Sequence, residues 1–221
     1  MRDRPWIVGA MLLVFSAAAP EHPAMAENGP APSFTAQIAV EPNRLVIRYT
    51  VANTTPGTIY VTNKLHRAGA KRVIDPNHVY ARLEEDGTLD VAKTMPAIPA
   101  DRAPTNLVAP YMTALAPGAR LSESVVLPLP LHPYLEYHDN SPVTDEEGRA
   151  ALVRASGVRF RLGYFVPPAG AKPRSESAFG VAVDNFRNPP GGRARYGELV
   201  SAKVRSEIPL VRTHAMEKRG R

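Results

Sequence analysis

From Phe34 onward the chain is built of short runs in which every second residue is apolar, broken by Pro, Gly and Asn. A period of two is that of a strand with one buried face. Phe34, Ala36, Ile38 and Val40 line one side of a first strand, and Pro42-Asn43 turns the chain. Leu45, Ile47, Tyr49 and Val51 then line a second strand, with Arg48 and Thr50 on its other side. Asn53 to Gly57 is a dense turn signal leading into β-branched and aromatic Thr58 to Thr62. Val79, Ala81 and Leu83 precede Asp86-Gly87, which predicts a hairpin into Leu89 and Val91. Four prolines between residues 95 and 110 exclude a central strand and predict a loop. Strands are expected again at Tyr111 to Leu115, Leu121 to Leu127, Val158 to Phe165, Phe179 to Val183 and Leu199 to Ile208.

One helix is predicted, over residues 144–155. Thr144 stands as its cap, Glu147 completes a capping box, Asp145 and Glu146 suit the positive end of the dipole, and Gly157 is the stop. About nine strands with turn signals every 8 to 15 residues, and no long helices to cross between parallel strands, predict an all-β protein: an antiparallel β-sandwich with at most one short helix. Val51-Ala52-Asn53-Thr54-Thr55, the following Pro-Gly turn, Ile59-Tyr60-Val61 and the later Leu115-Ala116-Pro117-Gly118 give residues 33–166 an order of features that resembles immunoglobulin-like domains of bacterial exported proteins. The resemblance implies an immunoglobulin-like sandwich. About 50 residues remain after Pro168, too few for the second domain of a pilus chaperone. Whether residues 169–212 complete the sandwich or decorate it stays open.

The first 26 residues follow a different pattern. Arg2 and Arg4 outweigh Asp3, and Trp6 to Ala19 gives about 14 uncharged residues, short of the ~20 a membrane-spanning helix needs. Pro20 follows, and Ala24-Met25-Ala26 offers small residues where a signal peptidase inspects them. Residues 1–26 are therefore expected to be a cleaved signal peptide, 27–212 a single sandwich domain and 213–221 a basic disordered tail. The expected location is periplasmic or secreted, in a bacterium, with no transmembrane segment after processing.

Composition narrows the chemistry. The absence of cysteine excludes thiolate nucleophiles, disulfides and Cys-ligated zinc. The formal charge of +6 falls largely in the C-terminal portion, where Arg187, Arg193, Arg195, Lys203, Arg205, Arg212, Lys218, Arg219 and Arg221 face only Glu198, Glu207 and Glu217. That reads either as a solvated face or as attraction to anionic wall polymers or lipid headgroups. No aromatic residues interleave with the basic ones in a recognised module, so no nucleic-acid partner is expected. Gly-x-Ser-x-Gly, a phosphate-binding loop, His-Glu-x-x-His and an EF-hand loop are all missing, and no cofactor is implied.

Two segments carry candidate sites. His132-Pro133-Tyr134-Leu135-Glu136-Tyr137-His138-Asp139 places two imidazoles and two carboxylates within eight residues. His132, Glu136 and His138 are candidate zinc or copper ligands if the segment stays extended. Alternatively, Tyr134 and Tyr137 cover the sandwich end or form a recognition surface there. The loop from Asn185 to Tyr196 gathers Phe186, Arg187, Arg193, Arg195 and Tyr196 around Pro189 to Gly192, the residue types that interfaces enrich. The leading expectation is a non-enzymatic module that contacts a protein partner of the cell envelope through its end loops. Metal binding through 132–139 and charge-driven binding to a wall or membrane surface are the alternatives, and the oligomeric state stays open.

Overall fold

A computed structural model describes residues 31–67, 73–105, 108–167, 171, 173–185 and 195–217, with the backbone alone at 67, 185, 195 and 217. The signal-peptide expectation falls outside these residues. Along the chain run β1 (Ser33–Glu41), β2 (Arg44–Ala52), β3 (Ile59–Lys64), β4 (His66–Arg67), β5 (Val73–Ile74), β6 (Tyr80–Leu83) and β7 (Thr88–Lys93). Then follow β8 (Tyr111–Leu115), β9 (Arg120–Pro128), β10 (Leu152–Val166), β11 (Arg174–Ala178), β12 (Val181–Asn185), β13 (Arg195–Val200) and β14 (Val204–Val211), and the short helix α1 (His214–Glu217). The protein is all-β, as the alternation predicts.

Two sheets enclose the core. Sheet A is antiparallel, in the order β1-β2-β9, and sheet B runs β11-β12-β8-β3-β10-β7-β6, with β13 and β14 also paired to β10. The inward residues of β2 and β9 (Leu45, Ile47, Tyr49, Val51, Val125, Leu127) meet Ile59, Val61, Leu89, Val91, Phe160 and Leu162 of sheet B in one buried cluster. Phe160 lies at its centre, its ring 5.0 Å from that of Tyr49 and 6.3 Å from that of Phe34.

The 15-residue β10 organises sheet B. On one side it pairs with β14 along Leu152 to Val158 and with β13 along Arg161 to Val166. On the other it pairs with β7 along Gly157 to Leu162 and with β3 at Tyr164 and Phe165. A bulge between Ala155 and Gly157 shifts the alternation by one residue, so Ala155 and then Val158, Phe160 and Leu162 all face inward. The β7–β10 pair is parallel, a departure from the expected wholly antiparallel arrangement. No helix is needed for the crossover, because the chain between these strands passes through β8 and then through β9 in the opposite sheet.

The two turns that carry the family resemblance lie against each other. The buried Asn53 side chain donates to the Gly57 carbonyl at 2.7 Å and the Leu115 carbonyl at 2.8 Å, and its Oδ1 accepts from the Thr55 amide and hydroxyl. Its backbone pairs with Ala119 and Gly118. One asparagine thus ties the end of β2 to the β8–β9 turn. At another edge of the core, the Tyr49 hydroxyl donates to Glu123, Asn63 Nδ2 donates to the same carboxylate at 2.7 Å, and buried Lys93 donates to the carbonyls of Asn63 and Pro76 at 3.1 and 2.7 Å. Burial pulls the Lys93 ammonium down to about 8, against the attraction of Glu123 and Asp75. Burial, and then the Glu123 charge, raises the Tyr49 phenol well above its ordinary value.

Three local expectations are corrected. Residues 144–150 form a hairpin turn, with Thr144 bridged to Ala150, and β10 starts at Leu152. Asp145 accepts from the amides of Glu147 and Arg149 at 3.1 and 2.8 Å, while Gly148 takes φ +77°, so the side chain that suited a helix start closes a turn instead. The expected strand from Leu199 to Ile208 is two strands, β13 and β14, separated at Ser201 to Lys203; both pair with β10, so this part of the chain completes the sandwich. The expected tail is ordered at its start: Thr213 and Ala215 are buried, α1 spans His214–Glu217, and Met216 packs on the core.

Candidate functional site

On the outer face of sheet B an open groove of about 320 Å³ runs between two loops. Its floor comes from strand residues: Tyr80 and Arg82 on β6, Asp90 and Ala92 on β7, Arg161 on β10 and Glu198 on β13. The segment 94–99 forms one wall and Leu135, Glu136 and His138 the other.

The floor is a charge network. Asp90 lies between Leu89 and Val91, which point into the core, so its carboxylate faces outward, yet it is only 1% exposed. Arg159 Nε donates to Asp90 Oδ1 at 2.7 Å and Arg161 Nε to Oδ2 at 2.8 Å, while Arg161 Nη1 reaches Glu198 at 2.8 Å. The parallel β7–β10 register sets Asp90 directly beside Arg159 and two residues, on the same face, from Arg161. Three strands are cross-linked in this way beneath the groove.

The wall at 132–140 is held by Asn140. Its Oδ1 accepts from the Leu135 amide at 2.8 Å, and its Nδ2 donates to the carbonyls of Leu135 and His138 at 2.9 and 3.1 Å. The Ala81 amide donates to the Tyr134 carbonyl at 2.9 Å, fastening the loop to β6. Tyr134 stacks on Tyr80 with ring centroids 6.4 Å apart, lies 5.1 Å from the His78 ring, and donates its hydroxyl to Glu136 at 3.1 Å. Tyr137, at φ +66°, accepts from the Val108 amide on its hydroxyl at 2.6 Å, and Arg102 donates to its carbonyl. The opposite wall hangs on Tyr196, whose phenolic oxygen accepts from the Met95 amide at 2.8 Å. Gly163 leaves room for that phenol, since a Cβ there would overlap the Tyr196 hydroxyl and come within 2.5 Å of Thr62 Oγ1.

Of the tyrosines near this groove only Tyr80 lines it; Tyr134, expected from sequence, stacks on Tyr80, and Tyr196, also expected, holds the Met95 wall from behind. Tyr80 is central: its hydroxyl is raised well above the ordinary phenol value by burial first, then by Glu136, Tyr134, Tyr137 and Tyr196. Burial also pushes the Tyr196 phenol up to about 12, against the Met95 hydrogen bond. These hydroxyls stay protonated near neutral pH, so they offer hydrogen-bond donors and ring faces and do not serve as bases. Met95 and Ile98, each 47% exposed, form an apolar lip above the charged floor. Such a groove can hold a ligand by apolar contact, hydrogen bonding and cation–π attraction.

Other expected residues part from this picture. His132 is exposed and turns its Nε2 to the Asn140 carbonyl at 2.8 Å, while Glu136 accepts from Tyr134. His132, Glu136 and His138 do not converge, and among the described residues no group of three or more His, Asp or Glu is placed to hold a metal ion. The loop is folded back on Asn140 and is not the regular extended segment that a shared face requires. Phe186, Arg187 and Arg193 lie outside the described residues, and Arg195 opens β13 opposite Val166. Asp90, Arg161, Glu198 and Tyr80 were not singled out from sequence. The available signals were a lone acid in an apolar strand and arginines on the wet face of Val158 to Leu162. Among the described residues no helix is long and apolar enough to cross a membrane.

Comparison with known proteins adds no relative to this geometry: no protein-family model matches the chain, and no curated protein or solved structure matches it either.

Proposed function

We propose that this protein is an exported, non-enzymatic recognition module of the immunoglobulin-like kind its sequence resembles, holding an extended segment of a protein partner in the outer groove of sheet B. The carrying observation is an open groove lined by Tyr80, which Tyr134 backs by stacking, with an exposed Met95 and Ile98 lip that Tyr196 holds through the Met95 amide. Tyrosine presents large rigid contact area with a polar tip, which favours it in protein interfaces. The ion-paired floor fixes the strand positions, so little ordering is left to occur on binding. The leader at residues 1–26 supports a periplasmic or secreted location.

The test is selection of displayed random peptides on the purified protein, followed by affinity measurement on the Met95→Asp/Ile98→Asp variant. Enrichment of a peptide class whose binding falls at least about tenfold in that variant, while thermal stability holds, is the expected result. Absence of enrichment, or binding indifferent to both substitutions, refutes the assignment.

A further inference from the structure

The open edge of sheet A lies away from this groove. β1 pairs with β2 through nine consecutive residues, from Ser33 opposite Ala52 to Glu41 opposite Arg44, without a bulge. Among the described residues no strand pairs with its other edge. Alternate residues of an antiparallel edge strand direct their N–H and C=O groups away from the sheet, so a strip of unpaired donors and acceptors runs along β1. Edge strands are ordinarily blunted by proline, lysine, a bulge or short length. Ser-Phe-Thr-Ala-Gln-Ile-Ala-Val-Glu has none of these, and its single charge, Glu41, stands at its end. The core-directed side chains of β1 are also incompletely covered. Phe34, Ala36, Ile38 and Val40 are half-buried, whereas Leu45, Ile47, Tyr49 and Val51 beside them on β2 are fully buried. An apolar seam therefore lies open beneath the unpaired edge.

We propose that β1 pairs antiparallel with β1 of a second copy of this chain, about a two-fold axis through Gln37, to give a continuous six-stranded sheet in the order β9-β2-β1-β1-β2-β9. The strand is complementary to itself in this register. Gln37 meets Gln37, Ala36 meets Ile38, Thr35 meets Ala39, Phe34 meets Val40 and Ser33 meets Glu41. Each residue keeps its face across the junction, so the four apolar side chains of one copy extend the stripe of the other while Thr35, Gln37 and Ala39 stay outward. No like charges are opposed, and each Glu41 carboxylate falls beside a serine hydroxyl. A strand whose single charge stands at its end has little to select a charged peptide, while the two-fold closes the assembly and removes the one open edge of sheet A, among the described residues, that is free of blunting devices. The groove on sheet B remains accessible in both copies, so the dimer presents two recognition sites and gains by avidity on a repeated partner.

The natural chain has no cysteine, which permits a direct test. Residues directly opposed in an antiparallel pair have Cα atoms about 4.5–5.5 Å apart, within disulfide reach. Gln37→Cys under mild oxidation should give a covalent dimer, and Arg48→Cys, also exposed but one strand further in, should not. Sedimentation equilibrium up to about 1 mM, a range that includes weak association, should show dimer formation that weakens at least about tenfold in Gln37→Lys. An equimolar mixture of Gln37→Lys and Gln37→Glu should restore a dimer. Circular dichroism checks that each variant is folded. A monomer at every concentration, or a dimer unaffected by Gln37→Lys with no disulfide in Gln37→Cys, overturns the proposal. Peptide binding by a protein that stays monomeric would leave the groove assignment standing.

Discussion

Replacing Asp90 with asparagine is the sharpest perturbation of the groove floor. The substitution keeps shape and volume but removes the charge that two guanidiniums share. Breaking a buried ion pair from one side costs about 3–5 kcal/mol, because the remaining charge is stranded. Here the stranded groups are partly wet: the Arg159 and Arg161 side chains are 39% and 26% exposed. Arg161 also keeps Glu198, which moves the expected cost to about 2–3 kcal/mol. For a chain of this size that lowers Tm by about 5–10 °C. Urea unfolding and calorimetry on the purified variant measure it, with coincident fluorescence and circular dichroism transitions as the check on two-state behaviour. Arg159→Ala, which removes the more exposed partner and leaves Asp90 with Arg161, should stay within about 1 kcal/mol. Asp90→Leu combined with Arg161→Met should cost less than Asp90→Asn alone, since the charges it leaves unpaired, Arg159 and Glu198, are 39% and 34% exposed and stay hydrated. A loss under about 0.5 kcal/mol for Asp90→Asn, or equal losses for Asp90→Asn and Arg159→Ala, would show that the network does not hold the three strands together.

Stability should depend on pH through Lys93. Its folded value of about 8 lies below the unfolded 10.5, so the unfolded chain binds more protons between those values and stability rises with pH there, by on the order of 1 kcal/mol from pH 8 to 9.5. Above about pH 10 the raised Tyr49 and Tyr80 phenols reverse the slope, because the unfolded chain then loses protons that the folded one keeps. Urea midpoints across this range should lose the rise in Lys93→Met, and a rise that persists rules Lys93 out. Gly163→Ala should cost about 1–3 kcal/mol by driving Tyr196 off its seat, and a double-mutant cycle with Tyr196→Ala should show coupling of at least about 1 kcal/mol; additive effects would contradict the contact. Asn53→Ala removes the side-chain donor to the Leu115 carbonyl and the acceptor for the Thr55 amide, and leaves the Gly57 carbonyl with the Thr55 hydroxyl alone, so denaturant unfolding should show a loss of about 2–3 kcal/mol, and a loss below about 1 kcal/mol would mean that Asn53 does not join the two turns.

Strands were legible in the sequence wherever one face is wet. β1, β2, β9 and the second half of β10 alternate cleanly because solvent and core impose opposite demands on successive residues. The prediction failed over 144–150, where the same Asp and Gly chemistry serves a helix start or a turn, and the choice fell to the pairing of β10 with distant β14. The break at Ser201 to Lys203 was hidden because both flanking strands answer to β10 and not to each other. For the site, the tyrosines were visible as residue types, but their meeting point was not. Tyr80 and Tyr196 are more than a hundred residues apart, and only the β6-β7-β10-β13 order sets one on the groove floor and the other behind its Met95 wall. Asp90 escaped notice for a related reason: its partners are set by a parallel pairing across 69 residues, which no local pattern encodes.

The position of β10 late in the sequence shapes how the molecule comes into being. Sheet A is complete in residues 33–128, but its inner face is only partly covered, by β3 and β7, until Phe160 and Leu162 have been made, and β13 and β14 have no strand to join before then. At about 5–20 residues per second of synthesis, the first half of the chain waits on the order of several seconds for the strand that closes it. Long-range pairing of this kind is intrinsically slow to form. A protein whose keystone arrives last stays open and threadable for as long as it is being made.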